Sequence, residues 1–353
     1  MQEPCISVIV TNFNYGRFLD RCLSSVLDQN YRNLEVIICD NHSTDESLSV
    51  IQKYLASDPD RITLVRQRSN LGSAANFKLG HQLHRGELFI NLGADDYLQP
   101  DCLSTVVQLF KAHPNASQVV CHADSVDELG VVSQRKPFFD GSYLIPGRSY
   151  APILMLAGIT AHTSQTFYCS AKDQKISLSL DYIGSQTIGE RTMAMMHAVH
   201  HDVIYIDRPL VVCRDSVYNE TFKLNSDLSQ IIEQWSVIQA FDRYAKRHGL
   251  KDISDRKDEA IAKLAQLCER YAVEFKRLGQ DEIAGRYLGL QMLLEGTFDR
   301  LFSSEISENP DIISTRIQAC VQSVCNKQDQ STLVRKHSYP PPADSVKLYF
   351  ENS

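Results

Sequence analysis

The chain has 353 residues and a formal charge of −7 at pH 7, long enough for one large core with an accessory unit or for two domains. The acidic balance excludes a nucleic-acid backbone as partner and argues against an anionic membrane surface.

The elements follow in chain order. Ile6 to Val10 is a short apolar run, and after Asn12-Phe13-Asn14-Tyr15-Gly16 the residues Phe18, Leu19, Cys22, Leu23, Val26 and Leu27 share one helical face. Leu34 to Cys39 repeats the strand, and Ser43 with Glu46 forms a capping box predicting a helix through about Leu55. Ile62 to Val65 precedes a Ser73-started helix to about His84, and Leu88 to Leu92 precedes a helix after Pro100-Asp101. This alternation predicts a largely parallel sheet covered on both faces.

From Gln118 the pattern changes to a strand, Val119 to Ala123, and a turn at Glu128-Leu129-Gly130. Pro137 to Pro152, rich in Gly, Pro, Tyr and Phe, is expected to be an irregular loop that lines a site. A helix near Arg191 to Val199 and a strand Val203 to Ile206 follow. After Arg214 only helical periodicity remains, roughly Ser226 to His248, Arg256 to Leu278 and Asp281 to Phe302, with a weaker segment near Ile312 to Val324. Leu267, Tyr271, Phe275 and Leu278 facing Ala284, Tyr287, Leu288 and Leu293 predict a helical hairpin. The end of the chain, with Ser338-Tyr339-Pro340-Pro341-Pro342, reads as a flexible tail.

The 10 cysteines are scattered without a CxxC pair, which predicts reduced, mostly buried thiols. No run reaches the roughly 18 apolar residues of a membrane helix, and Met1-Gln2-Glu3-Pro4 lacks the regions of a signal peptide. The expected location is cytoplasmic, with peripheral attachment at the inner face of the membrane left open.

Asp40 and the pair Asp95-Asp96 stand at the ends of apolar strands, where an open α/β sheet binds its ligand. A strand covered on both faces gives no packing reason for an acid at its tip, whereas a nucleotide base and a metal-bound diphosphate do. The absence of a GxGxxG, Walker or GxSxG pattern removes the common dinucleotide, NTPase and hydrolase classes.

Four ordered segments then carry a resemblance: Ser7 to Asn14, Glu35 to Asp45, Asn70-Leu71-Gly72 through Asn76, and Gly86 to Asp96. They resemble the successive signatures of family two glycosyltransferases with the GT-A fold, and Ile204 to Arg214 is similar to that family's late strand and loop. The resemblance implies a GT-A type α/β/α sandwich with a mostly parallel sheet over 1–218, with a nucleotide-binding half 1–115 and an acceptor half 116–218. An all-helical region over 219–327 and a flexible tail over 328–353 lie outside it.

It implies an inverting transferase that moves a sugar from a nucleoside-diphosphate sugar, UDP- or dTDP-linked, to a hydroxyl of a saccharide, lipid-linked or protein acceptor, with Mg²⁺ or Mn²⁺ on the diphosphate. The alternative is a catalytically silent nucleotide-sugar-binding or scaffold protein of the same fold. A homo-oligomer through the C-terminal helices is left open.

The nucleotide-binding candidates are Thr11, Asn12, Asn14, Asp40, Asn70, Asn76 and Asp95. Asp40 can accept the ring N–H of uracil or thymine; its plainer role is a loop aspartate satisfied by Ser43 or backbone N–H groups. Asn70, Gly72 and Asn76 either touch the nucleotide or only start a helix. Asp95 and Asp96 resemble the family's metal site, but Gly93 stands where its first acid would be. Glu190 is the candidate base, followed by Arg191 where a second acid is usual, and Asp181 is its rival; the plainer role of Glu190 is an acid in a helix first turn. His162, Gln165 and Thr166 belong to a segment similar to one facing the acceptor, though a polar-aromatic loop also packs. His197, His200 and His201 have the spacing of helical zinc ligands, yet no acid or cysteine completes a shell, and a partly exposed helix end is the expected reading.

Overall fold

The computed structural model describes residues 3–156, 163–173, 189–215, 228–296 and 339–350. The chain divides into two compact units. One comprises Met1–Ala151, Ala161–Ser216 and Ser338–Ser353, the other Pro152–Thr160 and Val217–His337.

In the first unit, β1 (Ile6–Asn12), β2 (Leu34–Asp40), β3 (Ile62–Arg66) and β4 (Leu88–Gly93) alternate with α1 (Gly16–Leu27), α2 (Ser47–Ser57) and α3 (Ser73–Leu83). The strands lie parallel in the order β3-β2-β1-β4. Then come β5 (Tyr97–Leu98), α4 (Cys102–Ala112), β6 (Ala116–Val126), β7 (Val132–Ser133), β8 (Ser142–Ile145), α5 (Gly147–Met155), β9 (Thr166–Cys169), α6 (Ser170–Asp173), α7 (Gly189–His200), β10 (Asp202–Arg214) and β11 (Val346–Leu348). The sheet runs β11-β8-β10-β6-β9-β4-β1-β2-β3. β9 is antiparallel to both β4 and β6, while β6 and β10 are parallel.

Period-two alternation explains the two covered faces. Val8 and Val10 pack with Leu19, Leu23, Ile51 and Val106 on one side. Ile9 and Ile37 pack with Phe89, Tyr168, Met193 and Phe77 on the other. Gly80 lets α3 lie against the sheet, because a Cβ there would come 2.2 Å from Ile9 Cγ2.

Several expectations need correction. Helix α2 starts at Ser47, not through a Ser43–Glu46 capping box, because Ser43 is drawn to Asp40 and Asp45 Oδ1 instead accepts the Ser47 N–H at 3.0 Å. The stretch from Pro137 to Pro152 is not irregular throughout, since it holds β8 and most of α5. The supposed flexible tail is pinned over its described residues: Val346, Lys347 and Leu348 pair with Leu144, Tyr143 and Ser142, and the Tyr339 N–H donates to the Phe138 carbonyl at 2.7 Å. An edge strand's unpaired N–H and C=O groups make β8 a template for such a segment.

The second unit contains helices Ser229–Arg247, Lys251–Ser254, Lys257–Arg277 and Asp281–Leu294. Tyr287 stacks on Tyr271 at 5.1 Å and on Phe275 at 5.6 Å between the last two, the hairpin that the apolar spacing predicts. Leu278 and Leu293, expected in that seam, are instead exposed, 45% and 61%. Buried Asp242 is paired with Lys246 and Lys257. The weaker helical segment at 312–324 lies outside the described residues.

Candidate active site

Asp40 ends β2 and is fully buried. Its Oδ1 accepts from Asn12 Nδ2 at 2.9 Å, and its Oδ2 from the Ser43 N–H at 3.1 Å, with Arg66 Nε at 3.4 Å. A carboxylate offers about four lone-pair positions, so these contacts orient it without exhausting it. Asn12 also donates to Ser43 Oγ at 3.0 Å, while its buried Oδ1 meets no acceptor-matching donor among the described residues. The turns beside it are conformationally unusual: Asn14 and His42 have φ of 58° and 66°, a left-handed geometry that concentrates where the chain shapes a site. Asn14 Oδ1 accepts the Thr44 N–H at 2.8 Å, tying the β1 and β2 loops together.

Asn70 belongs to this loop layer, its Oδ1 accepting from Asn41 Nδ2 at 2.8 Å and from the Gly72 N–H at 2.9 Å. Asn76 does not. It is buried, and its Nδ2 donates to the Cys39 carbonyl at 2.7 Å, so it fastens α3 to β2. Thr11 lies one residue before the end of β1, level with Cys39 on one side and Gly93 on the other.

β1 therefore has Asp40 at the tip of one neighbour and the Gly93-Ala94-Asp95-Asp96 turn after the other. Asp95 is half-buried and Asp96 is buried. Both carboxylates reach back over Gly93: a Cβ there would lie 3.0 Å from Asp95 Oδ1 and 3.1 Å from Asp96 Oδ2. Asp96 is held by the protein itself, accepting the Arg214 N–H at 2.8 Å on Oδ1 and the Ser164 hydroxyl on Oδ2. Ser164 Oγ in turn accepts the Gly93 N–H at 3.0 Å. Asp96, expected as a metal ligand, thus braces the turn, and Asp95 is the less buried carboxylate of the pair. Asp95 fits a divalent cation that arrives on a diphosphate, since Mg²⁺ or Mn²⁺ takes most of its shell from phosphate and water. Among the described residues no group of three His, Cys, Asp or Glu side chains could hold a metal without such help. Beneath the turn, burial and the neighbouring Asp96 and Asp95 push the Cys22 thiol well up.

Of the acceptor candidates, Gln165 is buried and donates through Nε2 to the Cys121 carbonyl at 2.8 Å, and Thr166 is buried as the first residue of β9, level with Val120. Both carry packing duties. Glu190 is the second residue of α7; its side chain, His162 and Asp181 lie outside the described residues. His197 is buried against the Tyr168 ring at 5.0 Å rather than at an exposed helix end. Ser164 and Arg214 went unassigned from the sequence, although Arg214 closes the late strand.

This arrangement, a mostly parallel sheet with helices on both faces and carboxylates at the tips of strands flanking β1, defines a domain of the GT-A type. Residues 7–168 match the family model described as Glycosyl transferase family 2. A Nostoc sp. protein described as an uncharacterized glycosyltransferase is 37% identical over 122 residues, 35% of this chain and 37% of that protein. A chondroitin synthase of Escherichia coli is 31% identical over 128 residues, 36% of this chain and 18% of that one. These alignments span 37% and 18% of the relatives' own lengths. Among solved structures, S. aureus TarS 1-349 in complex with UDP-GlcNAc superposes with a TM-score of 0.52 at 13% identity, covering 82% of this chain and 92% of that one. The mannosyltransferase PcManGT from Pyrobaculum calidifontis, in complex with GDP-Man and Mn²⁺, gives a TM-score of 0.50 at 16% identity, covering 94% and 89%.

Proposed function

We propose that the chain is an inverting glycosyltransferase that uses a nucleoside-diphosphate sugar and a hydroxyl acceptor. The observation that carries this is the placement of Asp40 and Asp95 at the carboxyl edge of the sheet, on the strands either side of β1. Asp40 takes the ring N–H of a pyrimidine base, with Asn12 orienting it and Thr11 beside it. UDP- or dTDP-sugars are the favoured donors for that reason, and the UDP-GlcNAc held by TarS on a similar fold supports the choice. Asp95 would hold the cation, which supplies positive charge to the diphosphate; the Mn²⁺ named with PcManGT is in keeping with it.

In the transfer step Glu190 takes the acceptor hydroxyl proton and the acceptor oxygen bonds to the anomeric carbon. The bond from that carbon to the diphosphate oxygen breaks with its electron pair, releasing a nucleoside diphosphate. A saccharide acceptor is supported by the similarity to a chondroitin synthase, with lipid-linked and protein hydroxyls as the other classes.

The test is turnover of UDP- and dTDP-sugars with Mn²⁺ against a saccharide panel, in wild type, Glu190→Gln and Asp181→Asn. Glu190→Gln should lose roughly 100- to 10,000-fold in rate, about 3 to 5 kcal/mol of transition-state stabilisation, with donor binding little changed. Near-normal transfer by Glu190→Gln with collapse of Asp181→Asn reverses the assignment. Tight donor binding with neither transfer nor donor hydrolysis favours the silent binding protein.

A further inference from the structure

Among the described residues, Arg214 is a cation set among acids without an ion pair to any of them. Its Nε donates to the Asp95 carbonyl at 3.4 Å and its Nη1 to the Asp127 carbonyl at 2.6 Å. Its Cζ lies 3.8 Å from the centre of the Phe18 ring. Arg17 stacks on the same ring at 4.3 Å, but its Nη2 is paired with Glu128 at 3.2 Å. Of two guanidinium groups on one aromatic ring, one is neutralised and the other, among the described residues, meets carbonyl dipoles in place of an acid. Among the described residues, no acceptor meets Arg214 Nη2.

The surroundings say what is missing. Gly93 contributes no carboxylate, Asp96 is held by Ser164 and the Arg214 backbone, and in the proposed function Asp95 carries the cation. A diphosphate bound here through one cation and one aspartate still carries surplus negative charge. That surplus grows as the glycosidic bond breaks and its electron pair passes to the diphosphate oxygen.

We propose that Arg214 is the protein's own counter-charge for the donor diphosphate, with Nη2 donating to a phosphate oxygen. Nε and Nη1 hold the fork against two carbonyls, and Phe18 fixes its plane. Such preorganised donors act most where charge develops, so the contact strengthens towards the transition state. The proposal rests on the transferase reading above. It also explains why the late strand ends where it does: the backbone of one residue braces the acidic turn while its side chain reaches the ligand.

The experiment is calorimetry with UDP, dTDP and GDP, and with the matching free nucleosides, each in EDTA and in Mn²⁺, on wild type, Arg214→Gln, Arg214→Lys and Phe18→Leu. The backbone bond to Asp96 survives any side-chain change at 214, and thermal melting checks that the variants fold. Arg214→Gln should weaken the nucleoside diphosphate about 10- to 100-fold in EDTA, the range for a hydrogen bond to a charged group, while nucleoside affinity stays unchanged. Arg214→Lys should recover part of the loss, and Phe18→Leu should weaken the diphosphate several-fold. Under turnover, Arg214→Gln should lower kcat more than it raises KM. Equal loss of nucleoside and diphosphate affinity, or no loss of either, overturns the proposal while leaving the transferase reading standing. Wild type that binds no nucleoside diphosphate with or without Mn²⁺ overturns both.

Discussion

Asn12 Nδ2 donates at 2.9 Å to Asp40 Oδ1 across the tips of β1 and β2, and both side chains are buried. The pair fixes the carboxylate before any ligand enters. Asn12→Ala should cost about 1 to 3 kcal/mol of stability, because a buried carboxylate loses a donor it does not regain from water. Nucleoside affinity should fall with it. Urea unfolding and calorimetry with uridine read the two effects, and a variant with unchanged stability and affinity would show that Ser43 and Arg66 orient Asp40 alone.

Gly147 opens α5 beneath the end of α7. A Cβ there would lie 1.9 Å from the His201 carbonyl oxygen and 2.1 Å from that of Ala198, and neither backbone group can swing aside as a side chain could. Gly147→Ala should destabilise the first unit by about 1 to 3 kcal/mol, the usual cost of overpacking. The midpoint of urea unfolding checks it, and an unchanged midpoint would mean that α5 shifts freely.

The strands β1 to β4, and the acids at the tip of β2 and just after β4, are legible because period and position are local properties: a short, largely apolar run and, in those two cases, an acid at its end. What escaped was contact between distant segments. Ser164 and Asp96 are 68 residues apart, and Arg214 and Asp96 are 118 apart, so no periodicity brings them together. Asn76 shows the same limit, since an asparagine near a helix start can bind a ligand or hold the helix, and only the fold places its amide on the Cys39 carbonyl. The terminal strand Val346–Leu348 is too short to announce itself, and it exists because β8 offers an unpaired edge.

His201 carries the pH dependence of the same region. Burial, with Lys172, His197 and His200 nearby and Asp202 opposing them, pushes it down to about 4 from its ordinary 6.5. The unfolded chain therefore takes up the proton first. Stability is complete above about pH 6.5 and falls as pH drops towards 4, by at most about 3 kcal/mol and by less after solvent screening of a half-exposed ring. His201→Asn should flatten that slope. Urea midpoints of wild type and variant at about pH 7.5 and about pH 5 decide it, and parallel slopes would assign the acid sensitivity elsewhere.

Asp95 and Asp96 are adjacent in the chain, yet their variants should fail differently. Asp96 accepts the Arg214 N–H and the Ser164 hydroxyl. An amide there turns an NH₂ group towards a donor, so Asp96→Asn should lower stability by about 1 to 3 kcal/mol and weaken nucleoside diphosphates alike in Mn²⁺ and in EDTA. Asp95 is half-buried, and in the proposed function it carries the cation. Removing its charge at constant volume should leave the melting temperature nearly unchanged. It should abolish most of the gain in UDP affinity that Mn²⁺ gives the wild type, about tenfold or more for the loss of one charged ligand. Calorimetry of UDP with Mn²⁺ and with EDTA, beside thermal melts, separates the two. If Asp95→Asn keeps its Mn²⁺-dependent affinity while Asp96→Asn loses it without melting earlier, the brace and the ligand are exchanged.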